Sequence, residues 1–195
     1  LQPLESPVLS ANVPTELTDP ENRWFGLTVR ARTLVYSTDR VDPAALSSYE
    51  ALAEPEWKGR LCLRTSKKVY NQSLVATMIK RLGEEKTEEI VRGWVANLAT
   101  DVFSNDTALM EAIVAGQCDV GIVNTYYFGR MKQDNPQLPL SLFRANQQSS
   151  GVHVNISGAG ITRHAPHPQK ARDLLEWMSQ PQAQKLLADR NMEYP

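Results

Sequence analysis

The order of apolar and polar positions divides the chain into recognisable elements. The first 22 residues, LQPLESPVLSANVPTELTDPEN, hold four prolines and many turn formers, so they read as extended or looped with at most one helical turn, like the middle of a fold. From Trp24 the pattern changes to WFGLTVRARTLVYST. There Leu27, Val29, Ala31 and Leu34 with Val35 predict a long strand with one irregularity, and Arg30 and Arg32 share its other face. A strand RLCLR (60–64) follows, then the polar loop TSKKVYN and helices over 72–83 and 85–98. The loop SNDT, a helix over 108–116 and a strand DVGIVN (119–124) complete this part. Such a β-α-α-α-β rhythm predicts a mainly parallel sheet covered by helices, because parallel neighbours need long crossovers and these are usually helical. The tail reads as a β-like stretch, GVHVNISGAGIT (151–162), and two helices over 168–180 and 181–191, the second with Pro181 in its first turn.

Composition narrows the class. The 195 residues are 42% hydrophobic and 22% charged, as in ordinary globular proteins, which removes disordered, collagenous and disulfide-dense scaffolds. Lys and Arg number 21 against 22 Asp and Glu, so there is no global electrostatic case for nucleic acid or an anionic membrane surface. No run approaches the roughly 18 apolar residues of a membrane span. The chain neither starts with Met nor carries a basic-then-apolar leader, and it reads as a soluble protein that is processed or cut from something longer. Cys62 and Cys118 lack the spacing of a metal finger; each is a buried small hydrophobe or half of a disulfide.

In doubly wound sheets, ligands collect beyond the carboxyl ends of strands, where helix amino termini present free N–H groups. Three segments have that grammar: RLCLR with TSKKVYNQS, the helix opened by SNDT, and DVGIVN with TYYFGR. Their loops would bring Thr65, Ser66, Lys67, Lys68, Tyr70, Asn71, Asn105, Asp106, Thr107, Asn124, Tyr126 and Tyr127 to one edge. Hydroxyls, amides and phenols dominate. Consecutive tyrosines after a buried strand are in many proteins simply amphipathic aromatics with wet hydroxyls. Phenolate also suits a small, hard trivalent cation, and Fe³⁺ supplies the charge needed to deprotonate a group whose reference pKa is about 10.

These residues carry a family resemblance. VYNQSLVATMI, followed 56 residues after Tyr70 by VNTYYFGRM, resembles the bacterial periplasmic ferric-ion-binding proteins, the receptors of ABC-type iron importers. LQPLESPVL, WFGLTVRARTLVYS and the stretch from NISGAGIT to the terminal EYP resemble that family too, so the similarity runs along the whole chain. The resemblance implies an α/β fold of the periplasmic-binding-protein kind, a type II clamshell. One lobe is nearly complete, with a mixed or parallel sheet flanked by helices, and parts of the second accompany it. It divides the chain into 1–32 (part of the N-terminal lobe and hinge strand), 33–150 (C-terminal lobe) and 151–195 (return segment). Tyr70, Tyr126 and Tyr127 fall on the family's tyrosine ligands for Fe³⁺ in an interlobe cleft. Arg30, with Arg32 as its rival, is the candidate for holding a synergistic carbonate or other small anion, with Thr65, Ser66 and Asn124 beside it. TSKKVYNQ departs from the small-residue anion loop of the other subgroup, which argues against an obligatory phosphate.

The resemblance further implies a periplasmic location, delivery of iron to an inner-membrane permease, and a first-lobe ligand set that would precede Leu1. A fragment of this kind is expected to self-associate over its uncovered apolar surface. In an oxidising periplasm a Cys62–Cys118 disulfide becomes plausible, since neighbouring strands about 4.8 Å apart fit the Cα separation a bridge requires. His153, His164 and His167 read as surface or structural. No Ser/His/Asp triad, nucleophile elbow or Gly-rich phosphate motif is visible, so an enzyme has no nucleophile to rest on. The alternatives are a clamshell receptor that binds an organic or oxyanion solute at helix N-termini, and a ligand-sensing domain of a regulator.

Overall fold

The computed structural model describes residues 1–194, which cluster into two compact units: 1–30 with 154–194, and Ala31–His153. The strand β1 (Phe25–Ser37) begins in the first unit and ends in the second. Thirteen residues in continuous extended conformation replace the irregularity expected from the sequence; its sequence-based signal was the doublet Leu34 and Val35, both fully buried, one against each of two cores.

The second unit holds three further strands of the sheet: β2 (Leu61–Cys62), β3 (Val120–Asn124) and β4 (Leu140–Phe143). The order is β2-β3-β1-β4. β2 and β3 run parallel, while β1 is antiparallel to both β3 and β4, so the sheet is mixed, which corrects the expectation of a mainly parallel one. The helical rhythm speaks only for the β2-to-β3 crossover. It says nothing of β1, which enters the sheet earlier in the chain and runs the other way.

Helices cover both faces. On one side lie α2 (Val69–Leu82) and α3 (Glu84–Ala96), whose Leu74, Met78, Ile90 and Trp94 close a core with Leu34, Trp57, Leu61 and Ile122. Gly83, with φ +84°, lets one helix end and the next begin with Glu84 and Glu85 in its first turn, where the helix dipole favours them. On the other side α4 (Asp106–Val114) buries Leu109, Met110 and Ile113 against Val35, Cys62 and Val123. The approach is close: a Cβ on Gly121 would stand 2.5 Å from Leu109 Cδ2 and 2.9 Å from the Cys62 carbonyl oxygen. β3 leads directly into α5 (Thr125–Asp134), a helix where the sequence suggested a loop.

The first unit starts with α1 (Pro7–Asn12), capped by Ser6, whose hydroxyl accepts from the Leu9 N–H at 3.2 Å. The strand β5 (His153–Ala159), most of which belongs to this unit, pairs with β1. The helices α6 (Pro168–Met178) and α7 (Pro181–Asn191) follow, each with proline at its start. Leu9, Val13, Phe25, Leu27, Ile161 and Leu175 form its core. Among the described residues no helix is long and apolar enough to cross a membrane.

Candidate functional site

Tyr70 and Tyr126 are each the second residue of a helix, α2 and α5, and both helices start beside the carboxyl ends of the parallel strands. Their hydroxyl oxygens meet at 3.4 Å. The Tyr127 ring lies 4.3 Å from that of Tyr126, centroid to centroid, with a 33° tilt. Two guanidinium groups attend them. Arg64 stands 5.2 Å from the Tyr70 ring centroid, and Arg130 stands 5.2 Å from that of Tyr126. Tyr126 is buried, and burial pushes its phenol above its ordinary pKa. The hydroxyls of Tyr127 and Tyr70 push the same way.

Beneath the phenols lies a closed polar ring. Arg32 is fully buried; its Nη1 donates to Asp106 Oδ2 at 3.2 Å and to Asn124 Oδ1 at 3.1 Å, and its Nη2 donates to the Ile122 carbonyl at 3.1 Å. Its Nε and Nη2 reach Asn71 Oδ1 at 3.0 and 2.7 Å. Asn71 Nδ2 in turn donates to the Arg64 carbonyl at 2.6 Å. Arg64 Nη1 closes the ring at Asp106 Oδ1, 3.4 Å away. Asp106 Oδ2 also accepts the backbone N–H of Asn124 at 2.9 Å. Burial lowers the Arg32 pKa, and the Asp106 carboxylate opposes that shift.

Of the candidate anion residues, Asn124 sits at the start of α5 with its buried Nδ2 lacking a hydrogen-bond partner. Arg64 Nε and Thr125 Oγ1 are buried without one as well. The Thr65 hydroxyl accepts the Lys67 N–H at 3.3 Å and the Ser66 carbonyl accepts from Gln72 Nε2 at 3.1 Å, both in the loop before α2. Arg30 belongs to the first unit, where its Nη2 donates to the Ile156 carbonyl at 3.1 Å and its buried Nε has no partner. Arg32, its rival, is the arginine that joins the tyrosine-bearing elements. Cys62 and Cys118 form a disulfide with Cα atoms 5.9 Å apart, tying β2 to the turn before β3. His153 Nε2 lies 3.1 Å from Ser73 Oγ, and burial followed by the charge of Arg32 lowers its pKa. His164 and His167 are exposed.

Sequence reasoning placed the tyrosines but missed Arg64 and the part played by Asp106. An Asp in SNDT reads as a helix-start residue, and only the register Arg32↔Asn124 reveals what it faces. Among the described residues no three His, Cys, Asp or Glu side chains gather as a metal site.

Comparison with known proteins follows the same line. The model of the family described as "Bacterial extracellular solute-binding protein" matches residues 1–195. Iron uptake protein A1 of Synechocystis is 42% identical over 200 residues, covering 100% of this chain and 56% of that protein. A solved structure described as Trichodesmium (IdiA) (FutA) in complex with iron and citrate ligands superposes with a TM-score of 0.94 at 40% identity, over 100% of this chain and 64% of the other. The ferric binding protein from Campylobacter jejuni superposes with a TM-score of 0.90 at 32% identity, again over 100% and 64%. The chain thus spans little more than half the length of the curated relatives it matches. The fold is that of the type II periplasmic binding proteins.

Proposed function

Because the chain belongs to the bacterial extracellular solute-binding protein family, we propose that its three tyrosines bind Fe³⁺ in a periplasmic receptor that delivers the ion to an ABC-type permease. The observation that carries this reading is the 3.4 Å approach of the Tyr70 and Tyr126 hydroxyls, with Tyr127 stacked beside them. Two phenolates so close repel each other unless a cation lies among them. A trivalent ion does this and also draws off the proton that burial retains on Tyr126. Both tyrosines stand at helix N-termini, whose positive ends favour the phenolate form.

Three tyrosines leave coordination positions open. The unpartnered donors Asn124 Nδ2, Arg64 Nε and Thr125 Oγ1 fit a small anion that completes the set, carbonate or another oxyanion. No catalytic step is part of this role; the similar proteins are named for uptake and binding.

The same donors favour a second reading, in which an organic or oxyanion solute is the cargo and the tyrosines only line its site. Equilibrium binding with the double variant Tyr126→Phe, Tyr127→Phe separates the two. Loss of iron binding supports the phenolate reading. Anion binding unchanged by the variant, with no iron bound by the wild type, supports the second.

A further inference from the structure

We propose that Asp106 is a positioning residue for the metal-binding phenols, acting through a buried ring that sets the starts of α2 and α5 against each other. The inference rests on the reading of Tyr70 and Tyr126 as iron ligands. Asp106 is itself fully buried, and the ion pairs of both Arg32 and Arg64 end on it. A single carboxylate therefore fixes three segments: β1 through Arg32, the loop before α2 through Arg64, and the β3–α5 junction through the Asn124 N–H.

Each arm ends beside a phenol. Arg32 passes the constraint to Asn71, the residue after Tyr70, through two hydrogen bonds. The Asn124 arm ends two residues before Tyr126. The Arg64 guanidinium both donates to Asp106 and faces the Tyr70 ring. Two guanidinium groups against one carboxylate leave one positive charge in excess below the phenols, and this excess is held in place before any metal arrives. Outer-shell groups of this kind orient metal ligands, and their loss characteristically costs 10–100-fold in metal affinity.

Asp106→Asn keeps the volume but must turn an N–H toward an arginine or give up a bond, which breaks the ring. The expected result is a loss of Fe³⁺ affinity of about 10–100-fold together with a displaced phenolate-to-iron charge-transfer band. Ile90→Ala, a core truncation on α3 of the same unit, serves as the destabilised control and should leave the band where it is. Should Asp106→Asn not fold, Asn71→Ala removes the links of Asn71 to Arg32 and to the Arg64 carbonyl at a half-buried site, leaves Asp106 in place, and should still displace the band. A wild-type band and affinity in Asp106→Asn, or in Asn71→Ala if that is the variant that folds, overturns the positioning role while the iron reading stands. A band displaced equally by Ile90→Ala also overturns it. A wild-type protein that gives no band with Fe³⁺ overturns the iron reading, and this inference falls with it.

Discussion

Tyr70 and Tyr126, 56 positions apart in the chain, hold their hydroxyl oxygens 3.4 Å from each other. Burial binds the proton of Tyr126 more tightly than in water. On the proposed reading, protons and Fe³⁺ compete for the same oxygens. Iron occupancy should fall as the solution is acidified from neutrality, with roughly one proton released for each phenol engaged. Potentiometric titration during iron loading checks this; loading without proton release would contradict it.

The Cys62–Cys118 bond closes a 56-residue separation between β2 and the turn before β3. By the chain-entropy estimate such a closure contributes about 4 kcal/mol. Thermal unfolding of the protein after reduction and alkylation of both sulfurs should begin at clearly lower temperature, and an unchanged transition would show that the bond adds nothing.

Asp119 accepts from Arg40 Nε and from Arg60 Nε, each at 2.7 Å. Burial raises its pKa, yet those two guanidinium groups outweigh burial and hold it below the ordinary carboxylate value. A group whose pKa is depressed on folding adds stability above its unfolded value, and that stability drains away as pH falls through the folded value. Asp119→Asn should therefore lower the midpoint of unfolding near neutral pH. The gap to the wild type should narrow in acid, and denaturant titrations at several pH values would show it.

The first unit exposes Leu1, Leu174, Trp177 and Leu186 by about half of their surface. Large apolar side chains in such number favour association. The 195-residue chain on its own should sediment as a dimer or larger species, and a stable monomer at all concentrations would argue against it.

Much of the site was legible because its chemistry is local. VYNQ and NTYY name the phenols, and the strand grammar of RLCLR and DVGIVN puts their loops on one edge. The ring below was not. Arg32 on a strand could equally face solvent, Asp106 could equally be a helix cap, and only tertiary register joins them. The helix α5 was hidden for a related reason: TYYFGRMKQD shows no clear apolar period, and only its packing against the strands makes it a helix of the unit. The strand β4 is four residues long and follows Pro139, too short for alternation to show. Sheet direction was misjudged because β1 lies outside the crossover that sets the helical rhythm.

The central claim is that phenolate oxygens of this chain hold Fe³⁺. The visible spectrum of the protein titrated with Fe³⁺ tests it most directly. A phenolate-to-iron charge-transfer band that grows to saturation, and that is lost in Tyr126→Phe, is the predicted result. A protein that stays colourless, or whose band is the same with and without the Tyr126 hydroxyl, would contradict the account.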